Sequence, residues 1–124
     1  MSELPRKQPR VAANIGVIVR IANGRQLPAG QIRNISLGGV FIETADLPAF
    51  GSALELEFSL PDQERRTIRC QGFVAWTTKT APDKVPGLEG IGVRLADIGI
   101  QEMRALAAFI DNMTAGKAGA THGR

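Results

Sequence analysis

The sequence has few of the residues that most often carry out chemistry. It contains one cysteine, Cys70, one histidine, His122, and no tyrosine. A single cysteine cannot form a disulfide within the chain, which argues against an oxidised, secreted scaffold and favours a cytoplasmic protein. Because His122 lies among the last three residues, a histidine-based catalytic centre or metal site is disfavoured. We therefore expect neither an enzyme nor a protein that depends on a metal or a cofactor.

Long hydrophobic runs are also missing. No apolar stretch approaches the roughly 20 residues that a membrane-spanning helix requires, and the basic N-terminus lacks the apolar run of a secretory signal. The 124 residues are 44% hydrophobic and 22% charged, which is typical of one globular domain. The sequence thus predicts a single domain that does not insert into a membrane.

Positive charge is concentrated towards the N-terminal end. Residues 1–33 carry six positive charges and one negative charge, whereas residues 34–124 carry nine positive and eleven negative charges. Five of the six N-terminal cations are arginines, which offer a planar set of donors and stack on flat rings. This surplus indicates either an anionic partner or a solvated basic tail.

Apolar and polar residues alternate through most of the chain, which indicates short β-strands with one buried face each. The predicted strands are Asn14–Ile21, Leu27–Ser36, Val40–Thr44, Leu54–Leu60, Thr67–Thr78 and Gly90–Leu95. Trp76 shares a predicted face with Ile68 and Val74, so we expect it in the core rather than at a binding surface. From Ile100 to Met113 the apolar period becomes three to four residues, which predicts an amphipathic helix that ends near Gly116.

Six short strands followed by one helix predict an all-β domain with a C-terminal helix. The expected architecture is a six-stranded antiparallel β-barrel capped by that helix, although strand propensity alone does not separate a barrel from a sandwich. We divide the chain into a flexible N-terminal lead-in at 1–12, the barrel and helix at 13–113, and a disordered tail at 114–124.

Two local patterns are candidates for a binding site. Arg6 and Arg10 form an Arg-x-x-x-Arg pair in the lead-in. Asn34-Ile35-Ser36-Leu37-Gly38-Gly39 joins the second predicted strand to the third. Each pattern has a purely structural interpretation, since the first is also expected of a solvated tail and the second of a hairpin turn.

Together, and with the strand pattern around them, these motifs resemble the signature of PilZ domains. That signature is Arg-x-x-x-Arg in an N-terminal lead-in, followed by Asp/Asn-x-Ser-x-x-Gly at the end of the second strand. Arg6 and Arg10 match the first motif, and Asn34, Ser36 and Gly39 match the second. The similarity continues in three later segments: Val40–Thr44, Gly72–Trp76 and Gly90–Leu95.

The resemblance implies a bacterial receptor for the second messenger cyclic di-GMP, without catalytic activity, that changes conformation or partner interaction on binding its ligand. It implies ligand contacts from six residues: Arg6, Arg10, Asn34, Ser36, Gly38 and Gly39. The family more often has aspartate at the position of Asn34, so this chain offers one accepting oxygen there instead of two.

The chemistry of these residue types suits such a ligand. Guanine presents two acceptors, O6 and N7, on one edge, and an arginine can donate to both, whereas adenine places a donor there. Amide and hydroxyl side chains can hydrogen-bond a base or a phosphate, and glycine lets a ligand approach the backbone closely.

Two functional hypotheses remain open. In the first, the cyclic di-GMP receptor passes its signal to a protein partner of unknown identity or through a homodimer. In the second, the chain is a PilZ-fold protein–protein adaptor that binds no nucleotide. A DNA-binding or RNA-binding barrel is disfavoured, because aromatic residues for base stacking are few. Arg20 and Arg33 are expected to face solvent rather than the ligand.

Overall fold

The structure of the protein is a computed structural model that describes residues 10–62 and 65–122. Its elements, in chain order, are six strands, a short 3₁₀ helix between the last two strands, and a C-terminal helix. They are β1 (Val11–Ile21), β2 (Gly30–Ile35), β3 (Gly39–Glu43), β4 (Ala53–Ser59), β5 (Thr67–Thr77), the 3₁₀ helix (Pro82–Lys84), β6 (Gly90–Ile98) and α1 (Ile100–His122).

The strands close into one antiparallel barrel in the order β1-β2-β3-β6-β5-β4, with β4 pairing back onto β1. Alternation directs one face of each strand inwards. Along β4, Leu54, Leu56 and Phe58 are buried, while the two glutamates between them lie on the outer face. Closing the sheet removes all the apolar faces from water together, which is the main stabilising term. The predicted six-stranded barrel is confirmed, and the sandwich alternative is excluded.

Helix α1 covers one end of the barrel and packs against β1 and β5. Its apolar stripe, Ala105, Leu106, Phe109 and Ile110, belongs to the same buried cluster as the strand side chains. The helix continues to His122, whereas the sequence predicts an end near Gly116, so the predicted tail overlaps it. Glycine lowers helix stability by about 1 kcal/mol without removing a backbone donor, and no proline interrupts this part of the chain. Within the described residues, no helix combines the length and hydropathy of a membrane span.

Strand β1 begins earlier than its alternation predicts. Val11 pairs with Ile35 and Ala12 with Asn34, and Val11 and Ala13 pack against the core. The last two residues of the predicted lead-in are therefore part of the barrel. Residues 1–9, which include Arg6, lie outside the described residues.

A bulge in β5 changes the side of the barrel on which Trp76 lies. The register between β5 and β6 shifts between Val74 and Trp76, so Ala75 is an extra residue in β5. An extra residue reverses the alternation of a strand, and Thr77 is buried after the bulge. The prediction that Trp76 shares the inner face of Val74 is therefore wrong, and its indole lies on the outside of the barrel.

Candidate ligand-binding groove

The turn between β2 and β3 is held by Ser36. Its backbone N–H donates to the carbonyl of Gly39 at 2.9 Å, and its hydroxyl donates to the same carbonyl at 3.3 Å. The hydroxyl also accepts from the N–H of Gly38 at 3.3 Å. Ser36 is 4% exposed, so the sequence motif places a buried hydroxyl under the turn. One acceptor lone pair of that hydroxyl stays available to a ligand donor.

Glycine at two positions keeps the outer surface beside this turn flat. A Cβ on Gly39 would lie 2.6 Å from the carbonyl oxygen of Val93, and a Cβ on Gly92 would lie 2.1 Å from the indole of Trp76. No side chain fits at either position without movement of its neighbours. The barrel packing therefore requires both glycines, Gly39 for the close approach of β6 and Gly92 for the indole that lies against it.

The two sequence motifs meet through Arg10 and Asn34. Nη1 of Arg10 donates a hydrogen bond to Oδ1 of Asn34. Arg10 directly precedes β1 and Asn34 lies on β2, and the pairing of Ala12 with Asn34 brings the two side chains together. The structure thus joins one arginine of the first motif to the first residue of the second, while Arg6 lies outside the described residues.

A groove of about 880 Å³ runs from this turn across the outer face of β3, β6 and β5. Its volume lies within the range of about 300–1,000 Å³ that is usual for small-molecule sites. The groove is lined by Arg10, Ser36, Gly38, Gly39, Val40, Ala75, Trp76, Gly92, Val93 and Arg94. Four of the six predicted site residues line it, and a fifth, Asn34, reaches it through its hydrogen bond to Arg10.

The groove has positive charge without compensation from its own lining. Among the residues that the structure describes, its lining has two arginines, Arg10 and Arg94, and no carboxylate. A second cleft, of about 330 Å³, is different, because its two arginines are accompanied by three carboxylates. Its charged residues are Arg20, Glu55, Glu57, Arg69 and Asp97. Of the two clefts, the groove beside the Ser36 turn is the one suited to an anionic ligand.

Six of the ten lining residues were not predicted as site residues, and two of them, Trp76 and Arg94, have large side chains that could contact a ligand. The indole of Trp76 stacks on the buried ring of Phe41, with centroids 5.5 Å apart, and Nζ of Lys84 lies 5.4 Å from its centroid. The bulge at Ala75 gives no clear signal in the sequence. Arg94 follows the alternation of β6, but its position beside the turn depends on the pairing of β6 with β3.

The arginines that were predicted to face solvent do lie on the outer surface. Nη1 of Arg33 is 3.5 Å from Oε1 of Glu43. Arg20 lines the second cleft rather than the groove. Neither of the two arginines lines the groove.

Comparison with known proteins agrees with the resemblance noted in the sequence. The chain matches the model of the PilZ domain over residues 5–112. Comparison with curated protein sequences gives no match.

Solved structures share the fold at low sequence identity. The Bacillus subtilis inhibitor of motility (MotI/DgrA) has a TM-score of 0.75 at 20% identity, and the match covers 93% of this chain and 54% of that one. This chain thus spans about half the length of the Bacillus protein. The PilZ domain with c-di-GMP of YcgR from Escherichia coli has a TM-score of 0.66 at 12% identity, covering 96% and 98%. The PilZ domain of CeSA from a cellulose-synthesizing bacterium has a TM-score of 0.53 at 15% identity, covering 88% and 97%.

Proposed function

The chain belongs to the PilZ domain family, and on this premise we propose that it is a cytoplasmic receptor for cyclic di-GMP. The proposal rests above all on one observation: the side chains of Arg10 and Asn34 meet at the edge of a groove that has two arginines and no carboxylate in its lining. Cyclic di-GMP carries two negative charges and two guanines, so it needs both a cationic surface and donors that fit a base edge.

Each residue at the edge of the groove has a distinct task in this proposal. Arg10 uses one donor on Asn34, which orients the guanidinium and leaves its other donors for O6 and N7 of a guanine. Gly38 and Gly39 leave the backbone bare beside the turn that Ser36 holds. Arg6 is proposed to complete the pair from the N-terminal segment.

PilZ domains are ligand-binding or adaptor domains rather than enzymes. We therefore propose that the outcome of ligand binding is a contact, with a protein partner or with a second copy of the chain. The ligand would link the segment before β1 to the turn between β2 and β3, and the joined surface would be what the partner recognises.

Isothermal titration calorimetry with cyclic di-GMP tests the proposal. We expect a micromolar or lower Kd, equivalent to about −8 kcal/mol, and at least a tenfold loss in Arg10→Ala. Cyclic di-AMP should bind far more weakly, because each adenine presents a donor where arginine requires an acceptor. Arg104→Ala, which removes an exposed arginine from α1, is the matched control. Absence of binding by the folded wild-type protein would favour the nucleotide-free adaptor.

A further inference from the structure

Arg94 lines the groove from β6, opposite Gly39, at a position that the sequence motifs do not include. Its neighbour Val93 is buried in the core, so the alternation of β6 turns Arg94 to the outer face, where it is exposed. Across the sheet, Arg94 is paired with Gly39 on β3 and with Phe73 on β5. One neighbour has no side chain and the other has an uncharged one, so the guanidinium has no acid beside it in the sheet.

The charge of Arg94 contrasts with that of other surface arginines. Arg25, Arg33 and Arg69 are each within 2.9 to 3.5 Å of a carboxylate oxygen. Among the residues that the structure describes, Arg94 forms no ion pair and no side-chain hydrogen bond. A cation in this position keeps all its donors for a ligand in the groove.

We propose that Arg94 is a further ligand-binding residue, and that it binds a phosphate of the dinucleotide rather than a base. This proposal rests on the proposed function, and it assigns a task to a residue outside the two motifs. Arg10 has a hydrogen-bonded partner that orients its guanidinium, as bidentate contact with a guanine edge requires. Arg94 has no such support among the described residues. Attraction between a guanidinium and a phosphate requires a less exact orientation than bidentate contact with a guanine edge. A guanidinium that no neighbouring side chain orients can therefore still bind a phosphate.

With the neutral Asn34, Arg10 is not neutralised by a carboxylate at that position, and Arg94 adds a second positive charge beside Gly39. The two positive charges together equal the charge of the two phosphates, while only Arg94 is assigned to contact a phosphate.

The experiment compares three variants with the wild-type protein by titration with cyclic di-GMP at about 50 mM and about 300 mM salt, concentrations that change screening strongly. We expect Arg94→Ala to bind about tenfold more weakly at low salt and to depend less on salt than the wild type. Arg94→Lys retains the charge and should stay within about threefold of the wild type, because a phosphate accepts a point charge. Arg104→Ala is the control for loss of an exposed arginine elsewhere.

The outcomes separate this proposal from the proposed function. Binding by Arg94→Ala equal to that of the wild type overturns the assignment of Arg94 and leaves the receptor function intact. Equal losses in Arg94→Lys and Arg94→Ala overturn the phosphate assignment, since they would show that the planar fork is required. A folded wild-type protein that does not bind overturns both. Thermal melting of each variant measures whether it is folded. We expect all of them to fold, because Arg94 and Arg104 are both exposed.

Discussion

Asn34 connects the two sequence motifs through a single side chain. Its carbonyl oxygen accepts from Arg10, which leaves the amide N–H₂ and one lone pair for a ligand. Its pairing with Ala12 on β1 brings it beside Arg10, which lines the groove. The residue therefore both orients an arginine and offers its own polar atoms.

Replacement Asn34→Asp should retain or strengthen binding of cyclic di-GMP. A carboxylate can accept from Arg10 with one oxygen and from the N–H groups of guanine with the other. Asn34→Ala should weaken binding, because Arg10 loses its orienting partner. Calorimetric titration of both variants measures the effect. Weaker binding by the aspartate variant would instead indicate that this side chain faces a phosphate, which a new negative charge repels.

Cys70 is the residue whose ionisation is coupled most clearly to the fold. It is 6% exposed and belongs to the buried core, and burial, together with the charge of Glu102, raises the pKa of its thiol from 9.0 to about 11. Cys70 lies on the buried face of β5 together with Ile68 and Val74. The thiolate is the reactive form, so Cys70 should react slowly with thiol reagents in the native protein near neutral pH.

The raised pKa of Cys70 predicts a loss of stability at high pH. Because the unfolded thiol ionises near pH 9 and the folded thiol near pH 11, this contribution is fully present below pH 9 and is lost as the pH rises towards 11. The expected loss is on the order of 2 kcal/mol in the free energy of unfolding, measured by urea denaturation. Cys70→Val should not show this component, and the chain has no tyrosine to titrate in the same range. Parallel pH profiles for the two proteins would contradict the assignment.

At the level of elements, close contact between β3 and β6 sets the shape of the groove floor. The two strands pair from Gly39 opposite Arg94 to Glu43 opposite Gly90. A Cβ on Gly90 would lie 2.1 Å from the carbonyl oxygen of Ile42, so glycine is needed at both ends of this pairing. At each end a glycine lies opposite a residue with a side chain, Gly39 opposite Arg94 and Gly90 opposite Glu43, so the two backbones can approach closely.

Gly39→Ala should therefore destabilise the barrel, by about 1–3 kcal/mol, because the added methyl group meets a backbone oxygen that cannot move independently. Gly16→Ala is the matched control, since a Cβ there would lie 3.8 Å from its nearest neighbour, the side chain of Gln31. That variant should unfold at nearly the same urea concentration as the wild type. Equal stability of the two alanine variants would show that β3 and β6 can separate without cost.

Residues 10–62 and 65–122 form one closed barrel with its C-terminal helix and one buried cluster, and the groove lies on an outer face of the barrel. The proposed ligand would contact residues around β1, the turn after β2, and β6. In the closed barrel, two strands separate β4 from β3 in either direction, and no residue of β4 lines the groove. A bound dinucleotide would therefore act on one side of a rigid body.

Amide hydrogen exchange should reveal this asymmetry. On addition of cyclic di-GMP, residues 6–10 and the Ser36–Gly39 turn should exchange more slowly, because the ligand links them. Ala53–Ser59 should change little, because β4 lies away from the groove. Arg6→Ala should remove the protection at 6–10 while the turn stays protected. Uniform slowing across the barrel would contradict a local bridge and indicate global stabilisation.

Much of the fold could be predicted because its signals are local. Alternation identified all six strands and the change of period identified α1, with differences of a few residues at the ends of elements. Val11, Ala12 and Ala13 were missed because three residues before a run of alternation carry little signal, although the pairing of Val11 and Ala12 with β2 places this segment in β1. The continuation of α1 past Gly116 was missed because glycine weakens a helix without preventing it.

The sequence by itself determined the class of fold and the two motifs, since both depend on residues only a few positions apart in the chain. Only the tertiary structure decided which side chains share the groove. β6 pairs between β3 and β5, so Arg94 lies beside Gly39 although 54 residues separate them in the numbering of the chain. The bulge at Ala75 turned Trp76 outwards, against the alternation of the residues before it. Closure of the barrel depends on pairings between distant strands, and those pairings set the register that local patterns do not encode.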